Sequence, residues 1–456
     1  MQEAVVETLE ISAKVKHGLE LLRKSCLGKW NCYLVGGAWR SLALGREPHD
    51  LDIVVDTDDR WAVEAVSRQF CLDNCATWVP LDRERGYYRC VFKERGEEWD
   101  FCTRFGGSIE EDLSNRDFTI NALAYSLEQD CFVDIYNSIY DLKNRLLRLA
   151  GQDCFKKDPL RVLRALRLII SEGWQPASGM KELLRAAIPM LAKVAGERIS
   201  AELMRIFECP VSSHWPFLED CGFLDWDLWG GMKDGSLIHE RLRYFEQEKQ
   251  EGWPSFSHSR VYLQSELDKR LKGGFTMFAL CKIGWLASSV PVADLAAHLK
   301  LSGQEAVALR ELRNNTRELL ELVKRNSDPG QFYLFVHKKR YFPMLAANAW
   351  VIGKTMESID VEGTYPLASK EEKRGVVDAF EGLAVALDTL LLDCFEGGRI
   401  FNPVVPLNGL DLQQLFGMGR KAEFSGWLES LAVRACRENL TRAQAFDLVK
   451  SWAGQS

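Results

Sequence analysis

Leu34–Val55 reads LVGGAWRSLALGREPHDLDIVV, and the fold is decided here. The apolar pair Leu34-Val35 runs into Gly36-Gly37, the pattern of a strand end turning into a helix start. Glycines let the backbone approach a ligand that a Cβ would push away, and the unpaired N–H groups of a helix start attract phosphate. Arg40 follows one helical turn on, where a guanidinium reaches the same anion. Asp50-Leu51-Asp52 then leads into Ile53-Val54-Val55, a β-branched run that reads as a strand. Residues two apart on a strand point to one face, so both carboxylates aim at one spot. Alone, a Gly-Gly pair is a turn and an Asp-x-Asp is a solvated strand end. Close together and in this order, they put paired carboxylates beside a phosphate cradle, as two-metal phosphoryl transfer requires.

The rest of the composition bounds the protein class. The 456 residues are 46% hydrophobic and 27% charged, as in an ordinary globular protein. That length allows about two to four domains. No apolar run approaches the roughly 18 residues of a membrane span. The N-terminal MQEAVVETLEISAKVKHGLE is acidic and amphipathic, unlike a signal peptide. The 13 cysteines lack CxxC pairs, so reduced thiols in a cytoplasm are expected, with no zinc site and no disulfide framework. The seven histidines form no metal-ligand cluster, and His49-Asp50 belongs to the opening stretch. A formal charge of −7 argues against a surface coated for indiscriminate nucleic-acid binding, while leaving room for a local basic stripe.

Along the chain, residues 1 to 28 read as amphipathic helix. Strand-like runs follow at Cys32–Val35, Leu51–Val55, Tyr87–Lys93, Glu98–Thr103 and Cys131–Ile135, with helical patterns at Arg60–Phe70 and Asn121–Ser126. Tyr87–Thr103 looks like an antiparallel hairpin. From about residue 155 the pattern is nearly all helix, with turn signals at Asp225–Gly235, Glu357–Ala368 and Glu396–Gly409. The last of these suggests a boundary near residue 400. An α+β chain is expected: an N-terminal head with a small mixed or antiparallel sheet, then an all-α remainder.

Two further segments carry chemistry. Ser108–Ala122, SIEEDLSNRDFTINA, places a cation, Arg116, and hydrogen-bonding groups together, although Arg116-Asp117 alone would be an exposed ion pair. Asp158-Pro159-Leu160-Arg161-Val162-Leu163-Arg164-Ala165-Leu166-Arg167 reads as an N-capped helix with a basic flank. Asp158 and Arg161 share a face, and a carboxylate beside a guanidinium offers acceptors and donors to a base edge. Steps of three drift by about 60° each, so Arg164 and Arg167 turn away from that edge, to hold phosphates or orient Asp158 from behind.

In order and spacing these three segments resemble the motifs of the polymerase-β-type nucleotidyltransferases, specifically the class II CCA-adding enzymes and bacterial poly(A) polymerases. The first motif of that family has two glycines, two variable positions, Arg-Asp, a spacer and Asp-x-Asp. Here Arg40 matches and Ser41 replaces the acidic residue. The second is Arg-Arg-Asp, three positions, then Asn-Ala, and here Asn115 replaces the first Arg. The third is Glu-Asp-x-x-Arg with two more Arg at the same spacing, and here Lys157 replaces Glu. Gly196-Glu197-Arg198 resembles a fifth motif, structural in the neck. Pro406–Leu412, with Gly417 and Gly426, is similar to the tail of longer members, and Lys338–Phe342 pairs charge with aromatics suited to RNA.

The resemblance implies transfer of CMP and/or AMP from CTP or ATP to the 3′ end of tRNA, with poly(A) synthesis as the alternative and an inactive RNA-binding homologue as a third reading. Asp50 and Asp52 would be the catalytic, Mg²⁺-holding carboxylates. Gly37 and Arg40 would hold the triphosphate, Arg116 would contact the nucleotide, and Asp117 with Asn121 would shape the ribose site. Asp158 and Arg161 would select the base, and Arg164 and Arg167 would complete the nucleotide site. Asp100 could supply a third carboxylate but stays outside the assigned set. The implied divisions are a catalytic head at 1–150, a helical neck at 151–210, a body at 211–400 and an RNA-binding tail at 401–456. No membrane and no protein partner is implied. A pI near 5.7 favours a shaped tRNA over many unrelated RNAs. Only Arg104-Phe105-Gly106-Gly107 separates Thr103 from Ser108, where many full CCA-adding members carry a longer flexible loop. Its shortening goes with enzymes that stop after CC.

Overall fold

Asp50–Val55 is β2, the middle strand of the N-terminal sheet. The computed structural model describes residues 9–26, 30–232, 235–324, 331, 335, 339, 341–358, 383–396, 405–416, 418–438 and 440–454. The chain forms two compact units, Met1–Ala195 with Asp220–Phe223, and Gly196–Glu219 with Leu224–Ser456.

In the first unit, β1 (Cys32–Val35), β2, β3 (Thr77–Asp82), β4 (Tyr87–Phe92), β5 (Glu97–Thr103), β6 (Leu123–Ser126) and β7 (Cys131–Asp134) make one sheet in the order β3-β4-β5-β2-β1-β6-β7. The β2–β5 pair is parallel and the other pairs are antiparallel, so the sheet is mixed. The helices are α1 (Ala13–Cys26), α2 (Gly37–Ala43), α3 (Arg60–Asp73), α4 (Ile109–Ser114), α5 (Ser138–Asn144), α6 (Cys154–Lys157), α7 (Arg161–Glu172) and α8 (Met180–Ala187). Strand alternation sorts β2 between two environments. Leu51, Ile53 and Val55 are buried on one face, where Phe70 of α3 lies 4.9 Å from Trp99 and 5.4 Å from Phe101. On the other face Val54 joins Tyr33, Val35, Ile109, Leu113, Ala122 and Ala124. Asp50 and Asp52 share this second face and emerge where its apolar cluster ends.

The β4–β5 hairpin is as expected from the alternation of Tyr87–Thr103. Asn121–Ser126 is not helical: a 3₁₀ turn at Thr119–Asn121 gives way to β6, because pairing with both β1 and β7 outweighs the helix propensity of Leu and Ala. β3 was unmarked in the sequence because it is an edge strand carrying Pro80, which needs no ladder donor there, with a bulge before Asp82. Cys71 of α3 and Cys90 of β4 form a disulfide with Cα atoms 5.9 Å apart, which corrects the expectation of thiols throughout.

From Gly196 onward the described residues are helical: α9 (Gly196–Phe207), α10 (Trp215–Asp220), α11 (Gly235–Gln250), α12 (Arg260–Asp268), α13 (Met277–Leu286), α14 (Val292–Leu299), α15 (Gly303–Lys324), α16 (Phe342–Ser358), α17 (Leu383–Glu396), α18 (Gly409–Phe416), α19 (Phe424–Arg437) and α20 (Arg442–Gly454), with short 3₁₀ turns between them. A Cβ on Gly196 would stand 1.9 Å from the His298 carbonyl oxygen, so the glycine lets α9 run against the end of α14. Glu197 and Arg198 beside it are exposed. The fully buried Lys282 donates to the Cys209 carbonyl at 2.8 Å and pairs with Glu246 at 2.5 Å. Glu246 in turn accepts the N–H groups of Val211 and Ser212 at 2.8 and 2.9 Å. Tyr341 and Phe342 are buried, and the Tyr341 hydroxyl donates to the Gln304 carbonyl, so these aromatics build the core. Lys338 and Arg340 lie outside the described residues, as do Gly417 and most of Glu357–Ala368 and Glu396–Gly409. Asn408 caps α18 by accepting the Leu410 N–H at 2.8 Å. Among the described residues no helix is long and apolar enough to cross a membrane.

Candidate active site

The site begins where β1 ends. Gly36 has φ +78 and ψ −136, a conformation few L side chains adopt, and α2 starts at the next residue. A Cβ on Gly36 would lie 2.6 Å from Asp52 Oδ2 and 3.4 Å from Arg116 Nη1. The turn is therefore packed directly against a carboxylate of β2. The Gly37 N–H donates to that carboxylate, so the helix start orients Asp52. Burial pushes the Asp52 carboxyl above its ordinary pKa, with the Asp100 and Asp50 charges adding to the shift and the Arg116 guanidinium opposing it.

Asp50 stands two residues earlier and is exposed. Across the parallel pair, Asp50 lies opposite Glu98 and Asp52 opposite Asp100, so four carboxylates share one face. Arg89 on β4, the register partner of Asp100, clasps both of its oxygens at 2.7 and 2.8 Å and also pairs with Glu98. Arg116 faces Asp52 and is held by Asp112 Oδ1, which accepts from its Nε at 3.0 Å and its Nη2 at 2.8 Å.

The other site residues form a second cluster behind the glycine turn. Arg40 Nε donates to Glu172 Oε2 at 2.9 Å and Nη1 to Asn121 Oδ1 at 2.6 Å, with its guanidinium 3.6 Å from where a Gly37 side chain would begin. Burial pulls its pKa down, against the Glu172 charge. Asn121 Nδ2 donates to Asp117 Oδ1 at 2.8 Å, and Arg164 Nε lies 2.9 Å from Asp117 Oδ2. Arg167 lies 3.6 Å from Glu172, and Trp174 Nε1 donates to Glu172 at 3.0 Å. In this arrangement Arg164 and Arg167 meet the protein's own carboxylates.

Asp158 Oδ1 accepts the Leu160 N–H at 3.2 Å, launching the turn into α7 rather than capping its first helical residue, which is Arg161. Arg161 Nη2 donates to the Asn115 carbonyl at 2.7 Å and Nη1 to the Arg116 carbonyl at 3.3 Å. The segments 115–117 and 157–164 are thus brought together.

The short connection after β5 is pinned throughout. Arg104 pairs with Asp56 at 2.8 Å, the Phe105 N–H donates to Asp112 Oδ2 at 3.0 Å, and the Gly107 N–H donates to Glu111 at 2.6 Å. Gly106, at φ +75, has Glu111 Oε2 only 2.3 Å from where its Cβ would stand.

Sequence reasoning missed Glu172, Arg89 and Asp112. Arg89 carried a faint signal in the alternation of β4. Glu172 carried none, since it meets Arg40 across 132 residues of chain.

A mixed sheet whose middle strand presents paired carboxylates beside a Gly-Gly helix start defines a nucleotidyltransferase head of the polymerase-β type. Residues 32–148 match the poly A polymerase head domain family. The CC-adding tRNA nucleotidyltransferase of Geobacter sulfurreducens is 30% identical over 321 residues, covering 68% of this chain and 72% of that protein. The CC-adding enzyme of Synechocystis is 34% identical over 208 residues, covering 45% of this chain and 46% of that one. The Thermotoga maritima CCA-adding enzyme complexed with tRNA superposes with a TM-score of 0.66 at 19% identity, covering 97% of this chain and 96% of that chain, a likeness of fold. The chain belongs to the family of CC- and CCA-adding tRNA nucleotidyltransferases that share the poly A polymerase head. Nucleotidyltransferases of this family generally use a divalent metal ion.

Proposed function

We propose that this protein adds CMP to the 3′ end of tRNA from CTP and stops after CC. The nucleotidyl-transfer reading is carried by the Asp50–Asp52 face packed on the Gly36 turn. Among the described residues no three His, Cys, Asp or Glu side chains form a ready-made metal cage. Asp50 and Asp52 put two carboxylates on one face of β2, and Mg²⁺ is a hard cation held through one or two carboxylates together with substrate phosphates. Asp50 and Asp52 would hold it, and when bound it neutralises charge on the reacting phosphates and activates the RNA 3′-hydroxyl.

The chain's own residues do the rest. The Gly36-Gly37 turn, Arg40 and Arg116 receive the triphosphate, with the Arg40 guanidinium oriented beside Gly37 by Glu172 and Asn121. Asp117 and Asn121 shape the ribose site. Asp158 and Arg161 read the base edge, with Arg164 and Arg167 holding Asp117 and Glu172 in place. Residues 1–150 are the catalytic head, 151–210 the neck, 211–400 the body and 401–456 the RNA-binding tail of a cytoplasmic enzyme.

The limit at CC rests on the pinned connection Arg104–Gly107, and the CC-adding relatives support it. Full CCA addition is the second reading, favoured by the relatives named as CCA-adding, such as that of Streptococcus suis. The test offers tRNAs ending at the discriminator base, at C and at CC, each with labelled CTP or ATP, and reads product length. CTP incorporation that ends at CC, with no ATP incorporation, is the expected result. CTP incorporation on the shorter tRNAs together with addition of A to the CC end establishes the second reading, A addition without CTP incorporation establishes an A-only enzyme, and long A tails on unrelated RNA establish poly(A) synthesis.

A further inference from the structure

Three consecutive residues of the second motif, Asn115, Arg116 and Asp117, are gripped by three cations from one stretch of chain. Lys157 Nζ donates to Asn115 Oδ1 at 3.1 Å. Arg161 binds the carbonyls of Asn115 and Arg116, and Arg164 lies 2.9 Å from Asp117. Arg161 is proposed as part of the nucleotide site itself, and Arg164 holds its Asp117. Lys157 and Asn115 are not part of that site, yet each immediately precedes a residue that is: Lys157 precedes Asp158, and Asn115 precedes Arg116. They are also the two positions where the second and third motifs depart from the family pattern, which has Arg at the first and Glu at the second. In three dimensions the two departures touch. The contact in this chain is a cation on a neutral acceptor.

We infer that Lys157 and Asn115 are a coupled positioning pair that sets the distance between the base-reading end of the site, Asp158 and Arg161, and its phosphate and sugar end, Arg116 and Asp117. A nucleotide engages both ends at once, so a small change in their separation acts on nucleotide affinity before it acts on chemistry. The pair is a hydrogen bond between an exposed lysine and a half-buried asparagine, so it can be altered without disturbing the core. The inference rests on the proposed reading of these segments as nucleotide contacts.

The test is a cycle in the full chain: Asn115→Arg, Lys157→Glu and the double variant, with Lys157→Ala as a variant that only deletes the contact. Each is assayed for CTP KM, kcat and thermal midpoint on tRNA lacking its CC end. Asn115→Arg sets like charges against Lys157, and CTP KM rises about 10-fold with kcat within about 2-fold. Lys157→Glu and Lys157→Ala raise KM by about 3-fold; the former is mild because the Asn115 amide can turn its NH₂ to the new carboxylate. The double variant, carrying an opposite-charge pair, returns KM to within about 2-fold of the parent, a non-additive rescue. Effects that multiply in the double variant, an unchanged KM in the single variants, or losses confined to kcat and thermal midpoint overturn the inference while leaving the function intact. No CTP incorporation by the unsubstituted chain overturns the function, and the inference with it.

Discussion

Asp52 and Asp100 are register partners on neighbouring parallel strands, so both carboxylates stand on one face, but they are held in opposite ways. Asp100 is neutralised by Arg89 at both oxygens. Asp52 is buried under a glycine turn, with the Gly37 N–H and Arg116 as its compensation. The second environment leaves a carboxylate that a cation would stabilise further, which is why Asp52 is the stronger metal-holding candidate of the two.

Asp52→Asn should lower nucleotide incorporation by about 1,000-fold or more, the scale of losing a main electrostatic element of a site. Thermal stability should be unchanged or higher, because a buried charge disfavoured by desolvation has been removed. The sign follows from the raised folded-state pKa: the stabilising contribution of Asp52 is present below its unfolded pKa and is lost as pH rises through the folded value. The variant should therefore show a flatter stability curve just above the ordinary carboxylate range. Cation binding needs the charged form, so Mg²⁺ affinity in the parent should fall as pH falls through the same window. Substantial activity in Asp52→Asn would remove this residue from the metal site.

Gly36→Ala brings a methyl group to 2.6 Å from Asp52 Oδ2 in a left-handed backbone conformation. The expected result is a loss of about 100-fold in activity and about 1–2 kcal/mol in stability, the latter from strain at positive φ. Urea unfolding together with the incorporation assay separates the two effects. Full activity in a folded Gly36→Ala protein would show that Asp52 need not sit under this turn.

Arg40 and Glu172 are each 15% exposed, so deleting one strands the other. Arg40→Ala should destabilise the first unit by about 3 kcal/mol, as breaking a buried pair does. Arg40→Ala/Glu172→Ala together should cost less than the sum of the single changes, measured by urea unfolding. Strict additivity would mean the contact contributes nothing beyond its two parts.

Lys282 in the second unit is buried beside Glu246, and burial pulls its pKa down to about 8 from 10.5. Between those values the unfolded chain binds a proton that the folded chain does not, so this group raises stability as pH increases from about 8 to 10.5. Lys282→Met should abolish that rise when chemical unfolding is followed across the window. Glu246→Gln should destabilise, because it leaves a buried ammonium without its anion. A Lys282→Met curve parallel to the parent would exclude the lysine as the titrating group.

How legible all this was depended on distance along the chain. Leu34–Val55 could be read almost residue by residue because strand alternation and glycine chemistry are local, and its two carboxylates stand where a period of two puts them. β3 and β6 were harder: Pro80 is tolerated only because the strand is an edge, and Leu123–Ser126 is a strand only because β1 and β7 flank it. The basic row of α7 was visible as a row, but its partners were not. Arg164 and Arg167 meet Asp117 and Glu172, and a helical wheel carries no information about which carboxylates the neighbouring chain will offer.

By itself the sequence determined the chemistry, because the residue types and their short spacings place carboxylates, glycines and cations on single elements whose periodicity is fixed by the backbone. Only the tertiary structure decided how the elements face one another. It set Asp100 opposite Asp52, brought Glu172 across 132 residues to Arg40, and joined Lys157 to Asn115. Those pairings depend on sheet register and helix docking, which are settled by the packing of the whole unit rather than by any local run of residues.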